Sequence, residues 1–113
     1  MTALATPRLM DNTLRFAAFW QQRVCASCGE PGTEAHHIVL RSLGGEDHID
    51  NLLLLCLNCH RLFHDGDRYV ARWIGTALAE WPEKLAHARA AKGARYLLTY
   101  YEIGEDDGPA SLP

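Results

Sequence analysis

Four of the chain's six histidines, His36, His37, His60 and His64, open and close the segment EAHHIVLRSLGGEDHIDNLLLLCLNCHRLFH, Glu34 to His64. Two Cys-x-x-Cys pairs frame it: Cys25/Cys28 just upstream and Cys56/Cys59 inside. Imidazole and thiolate are the side chains that bind zinc and related divalent ions best. A segment so rich in both implies metal chemistry rather than packing. It also separates by ligand type into two sites, one of sulfur and one of nitrogen.

The sulfur pattern is Cys-x2-Cys-x27-Cys-x2-Cys. Each Cys-x-x-Cys turn presents two sulfurs on one side, so Cys25, Cys28, Cys56 and Cys59 together complete a closed tetrahedral zinc shell with no position for substrate. Grouping Cys25 and Cys28 with His60 and His64 instead would need a gap far longer than the ~12 residues of a Cys2His2 finger. It would also strand Cys56 and Cys59. Disulfides are the lesser expectation, because no secretory leader is visible in MTALATPRLMDNTLRF and reducing cytosol favours metal-bound pairs.

The nitrogen pattern has the form of an open site. His60 and His64, four apart on a helix, share one face, whereas Cys59 and His60 diverge by ~100° and should serve different ions. His36 and His37, adjacent on a strand, point to opposite faces. One can join His60 and His64 on an ion while the other moves a proton. Three histidine ligands leave coordination positions open, as catalysis requires. His48 and His87 are expected to be surface or capping residues.

The elements that must position these groups follow from patterning. Asp11 or Asn12 can cap a helix reaching about Arg23, with Phe16, Phe19, Trp20 and Val24 as its apolar face. A tight turn at Cys25–Gly29 and a breaker at Glu30-Pro31-Gly32 precede a short strand near Ala35–Val39. Residues 42–50 form a polar loop bending at Gly44-Gly45. Leu52–Cys56 suits a buried strand, and a helix starting near Asn58 stops near Asp65-Gly66-Asp67. Val70, Trp73, Ile74, Ala77, Leu78 and Trp81 mark one amphipathic helix whose apolar stripe is expected to be core. Pro82 opens another that reaches Tyr100, with Gly93 as its soft point. The fold class is α+β: a strand–loop–strand–helix core flanked by an N-terminal helix and C-terminal helices.

At 113 residues the chain is expected to form one domain, residues 1–101, with an acidic tail over 102–113. No apolar run approaches the ~18 residues of a membrane span, and a cytoplasmic location is the default. The net charge of −3 is unevenly spread. All eleven Arg and Lys precede Tyr101, as do ten of the fourteen acids, so the body carries about +1. This argues against a broad electrostatic footprint but not against a small basic patch. A partner subunit that supplies targeting would compensate.

The stretch from about Cys25 to His64 resembles the HNH endonuclease motif, or ββα-metal motif, in its zinc-bearing four-cysteine form. The resemblance implies metal-dependent hydrolysis of DNA phosphodiester bonds. By it, His37 is the general base, and His36, His60 and His64 ligate one divalent ion: Mg2+, Mn2+, Ni2+ or Zn2+. Asn51 is the middle Asn, bracing the loop, and Glu34 orients a ligand. The family often carries Pro where this chain has Leu40, and Arg where it has Leu43. The phosphate-contact role therefore passes to Arg41, with Arg61 and Arg68 as other candidates. A zinc-stapled DNA- or protein-binding module without catalysis is the opposing expectation. It has no need of a free base beside a metal cluster.

Overall fold

A computed structural model describes residues 12–104. An N-terminal helix, α1 (Asn12–Gln22), leads into the Cys25 turn and a two-stranded antiparallel sheet of β1 (Glu34–His37) and β2 (Leu52–Leu55). Helix α2 (Leu57–His64) follows directly, then α3 (Arg68–Leu78), α4 (Pro82–Lys92) and α5 (Ala94–Tyr101). The fold is thus α+β, with a ββα centre flanked by helices on both sides. In the sheet His36 pairs with Leu53 and His37 with Leu52, so both histidines are held in register by a strand that is buried throughout.

Four consecutive leucines can be buried because both faces of β2 are covered. Leu53 and Leu55 enter the main core with Ile38, Val39, Phe63, Ile74, Leu78 and Leu97. Leu52 packs instead with Ala18 and Leu14 of α1. Gln22, the last residue of α1, clamps the helix to the strand: its amide donates to Leu54 O (2.8 Å) and accepts from Leu54 N–H (3.0 Å). An otherwise open sheet edge is covered in this way.

Several elements depart from the expectations of patterning. Phe16, Phe19, Trp20 and Val24 lie outside the core: Phe16 is 63% and Trp20 52% exposed. Helix α1 presents Leu14 and the small Ala18 to β2. Its aromatic rings pack edge-on against one another, with Arg23 over Trp20. Trp73 is likewise half exposed, whereas Val70, Ile74 and Leu78 carry the α3 contact, and Trp81 precedes α4 rather than ending α3. β1 begins and ends earlier than expected, at Glu34 and His37. The helix expected over 82–100 is two helices, because Gly93 adopts φ 89° and ψ 174°. That conformation is open to glycine and strained for other residues. The break turns α5 back so that Tyr96, Leu97 and Tyr101 enter the core.

Glu102 falls in the stretch that composition marks as tail, yet its carboxylate receives Arg68 (2.8 Å) and Arg72 (3.1 Å) of α3. These contacts hold it below the usual carboxylate range, and Ile103 beyond it is buried. The rest of that stretch, 105–113, lies outside the described residues, as does Asp11.

The loop between the strands is shaped by close backbone approach at Gly45, whose N–H donates to Leu40 O (2.9 Å). A Cβ there would stand 1.7 Å from Val39 O. Gly45→Ala is expected to cost on the order of 3 kcal/mol, because neither backbone can yield without breaking the loop. Thermal melting checks this, and an unchanged midpoint would refute it.

Candidate metal and catalytic site

The four cysteines converge from two similar turns. Ser27 and Cys28 backbone N–H groups point at Cys25 Sγ (3.3 and 3.5 Å), and Cys59 N–H points at Cys56 Sγ (3.4 Å). All four sulfurs lie within 4.8 Å of one another, and the cysteines are free rather than disulfide-bonded. Cys28 Sγ and Cys56 Sγ are 3.8 Å apart. Two sulfurs at ~2.3 Å from one tetrahedral ion would stand about 3.8 Å apart, whereas a disulfide needs ~2.05 Å.

The thiols also differ in acidity. Burial raises Cys25, but backbone N–H groups of Cys28, Cys56 and Ser27 outweigh it and bring the thiol to about 7. Burial pushes Cys59 up to about 12, with the neighbouring Cys56 and Cys28 thiols adding to it. One thiolate forms readily, and further negative charge at the same point is resisted unless a cation shares the centre.

The histidines form a separate group on the other side of α2. His36, His60 and His64 each offer a ring nitrogen, all within 4.8 Å of one another. His60 Nε2 and His64 Nε2 stand 3.3 Å apart. That is about the separation of two nitrogens at ~2.05 Å on a tetrahedral ion. Burial, and the nearby His64 and His60 rings, lower the basicity of His60 and His36, His36 strongly. Both are therefore held neutral, the form that binds metal. His36 is fully buried, and its Nδ1 has no hydrogen-bond partner. A buried nitrogen without a partner is costly unless something else, such as a cation, uses its lone pair. The donor set fits a divalent ion.

Glu34 approaches His60 Nδ1 at 3.8 Å, an ion-pair rather than a hydrogen-bond distance. It thus lies beside the outer nitrogen of a ring whose Nε2 faces His64. His37, on the next residue of β1, turns instead to the loop, where its Nε2 meets Asp47 Oδ1 at 2.8 Å. Arg41 grips the same carboxylate with two contacts, at 3.3 and 3.0 Å. Arg61 lies exposed on α2. Arg68 is engaged with Glu102 and the Thr99 carbonyl. His48 caps the turn before Asn51 by accepting from Asp50 N–H, and its ring stacks on His87.

Asn51 is fully buried and makes three hydrogen bonds. Its Oδ1 accepts from Val39 N–H (2.8 Å), and its Nδ2 donates to the Val39 and Glu46 carbonyls (3.1 and 2.9 Å). It ties the end of the His-bearing strand to the loop that carries Asp47. Asn51→Ala would strand two buried polar groups of Val39 and one half-buried carbonyl of Glu46. It is expected to lower stability by about 2–4 kcal/mol, read as a fall in denaturation midpoint; a loss below about 0.5 kcal/mol would show that the brace is dispensable.

Three contributors escape a reading of the sequence. Asp47 belongs to a polar loop whose acids look like ordinary surface charge; its contacts with His37 and Arg41 distinguish it. Lys84 of α4 is buried under Trp81 and donates to Ile49 O (2.6 Å), anchoring the turn that carries Asn51. Tyr101, 65 residues from His36, meets that ring at 2.8 Å and carries no local sign of doing so.

The HNH endonuclease family model matches residues 25–66. The type IV methyl-directed restriction enzyme EcoKMcrA of Escherichia coli strain K12 is 39% identical over 51 residues, covering 36% of this chain and 18% of that protein. The probable mobile endonuclease C of Enterobacteria phage T4 is 42% identical over 50 residues, 38% of this chain and 24% of the other. Anaredoxin of Nostoc sp. strain PCC 7120 is 38% identical over 45 residues, 38% of this chain and 59% of the other. The chain therefore spans less than two thirds of each of these relatives. No solved structure matches it.

Proposed function

We propose, from the match of the HNH endonuclease family model to residues 25–66, that this chain is a metal-dependent endonuclease hydrolysing DNA phosphodiester bonds. The observation that carries the proposal is the pairing of a three-histidine cluster with a fourth histidine fixed on a carboxylate. A binding module requires neither.

His36, His60 and His64 would hold one divalent ion. When bound, such an ion stabilises charge on the phosphorane and on the departing oxygen. His37 takes the proton from the attacking water. Asp47, paired with Arg41 at 3.0 Å, receives the Nε2 hydrogen of His37. It thereby makes Nδ1 the basic nitrogen and stabilises the imidazolium that forms. Arg41 and Arg61 are the phosphate contacts, which position a backbone without reading sequence. Cys25, Cys28, Cys56 and Cys59 hold a structural zinc that fixes β2 and α2 to the turn before β1. Asn51 contributes by bracing rather than by reacting.

Supercoiled plasmid incubated with Mg2+, Mn2+, Ni2+ or Zn2+ tests the proposal. Conversion to nicked circles only when an ion is added supports it. No conversion with any of the four overturns it in favour of the zinc-stapled binding module. Because the body is nearly neutral, targeting is assigned to a partner subunit; tight duplex binding by the isolated chain at physiological salt would argue against that.

A further inference from the structure

We propose that Tyr101 is a positioning residue for the histidine-bound ion: it fixes His36 as the Nε2–H tautomer and commits Nδ1 to the metal. The inference rests on the reading of His36, His60 and His64 as ligands. It extends that reading to α5, an element outside the matched segment.

Tyr101 Oη lies 2.5 Å from the Ile38 carbonyl oxygen and 2.8 Å from His36 Nε2. A hydroxyl has one hydrogen, and a carbonyl has none to give, so the Tyr101 proton goes to Ile38 O. The contact with His36 must then use a hydrogen from the ring: Nε2–H donates and Tyr101 Oη accepts. A neutral imidazole has a single N–H, so its lone pair lies on Nδ1. That is the buried nitrogen without a hydrogen-bond partner.

The surroundings hold the arrangement rigidly. Tyr101 is 1% exposed, and its ring stacks on Phe63 at 5.3 Å with an interplanar angle of 12°. Phe63 in turn packs edge-on against His36 at 4.7 Å. Gly75 of α3 permits the close approach, since a Cβ there would stand 2.3 Å from Tyr101 O. A ligand whose second nitrogen is fixed by an outer partner typically loses 10–100-fold in metal affinity when that partner is removed.

Tyr96 supplies the control. Its hydroxyl also donates to Ile38 O (2.8 Å) and accepts from Leu40 N–H (3.1 Å), but its hydrogen bonds do not involve the His36 ring. Tyr101→Phe and Tyr96→Phe each delete one buried hydroxyl from the same carbonyl, so a merely structural role would affect the two variants alike. The experiment titrates Ni2+ calorimetrically into wild type and both variants, each already holding one equivalent of zinc. Alongside it, 15N-edited NMR reads the His36 tautomer in the wild-type protein before Ni2+ is added. The expected result is an Nε2–H signature in wild type, with 10–100-fold weaker Ni2+ binding for Tyr101→Phe and little change for Tyr96→Phe. An Nδ1–H tautomer in wild type, or equal affinities for the two variants, overturns the inference. Failure of wild type to bind Ni2+ overturns the ligand reading itself, a separate result because the tautomer is read without that ion.

Discussion

His37→Ala should abolish plasmid nicking while leaving metal content and melting temperature near those of wild type. The two halves of that expectation have different physical grounds. A positioned general base contributes typically 10²–10⁴-fold, so the loss should bring cleavage to background in an ordinary assay. The fold should survive because His37 contributes to the sheet through its backbone, in register with Leu52, and its side chain faces a polar loop rather than the core. Asp47 keeps Arg41 as a partner, so no buried charge is left alone. The variant removes no sulfur and none of the three clustered imidazoles. Plasmid relaxation assays with zinc analysis and circular dichroism decide it. Nicking retained at wild-type rate would sink the assignment of His37 as base and move attention to His64, the exposed member of the cluster.

Cys25→Ser should show the opposite profile: zinc lost and the cooperative fold lost with it. Small zinc modules gain ~10–16 kcal/mol of apparent free energy from their ion. A domain of this size has only ~5–15 kcal/mol of net stability. Even a fraction of the zinc contribution therefore exceeds the margin. Cys25 is a severe place to make the change. It is buried, receives two backbone N–H groups, and is the thiol that ionises near 7. A serine hydroxyl there cannot supply a thiolate. Zinc stoichiometry and thermal melting test the prediction together; wild-type values of both would mean that the four-cysteine site is wrong. The profiles separate the two metal groups, since one variant removes chemistry from a folded protein and the other removes the fold.

The sequence alone determined which cysteines and which histidines cluster, because that depends on spacings that short elements can hardly escape. Cys-x-x-Cys turns put two sulfurs together wherever they occur, and residues four apart on α2 share a face. His36 and His37 had to diverge because strand side chains alternate. The buried β2 was equally legible from its run of leucines. Segments whose apolar residues outnumber the positions facing the core were not legible. Phe16, Trp20 and Trp73 recur at helical spacing, but periodicity shows only that a stripe exists. Which neighbour covers it depends on how the helix is rotated, and small Ala18 won that place on β2. Only the tertiary structure decided how the outer nitrogens of the site are held. Asp47 reaches His37 across ten residues and Tyr101 reaches His36 across 65. No local pattern encodes such contacts, since they exist only after the interstrand loop closes on Asn51 and the break at Gly93 turns α5 back against α3 and α4.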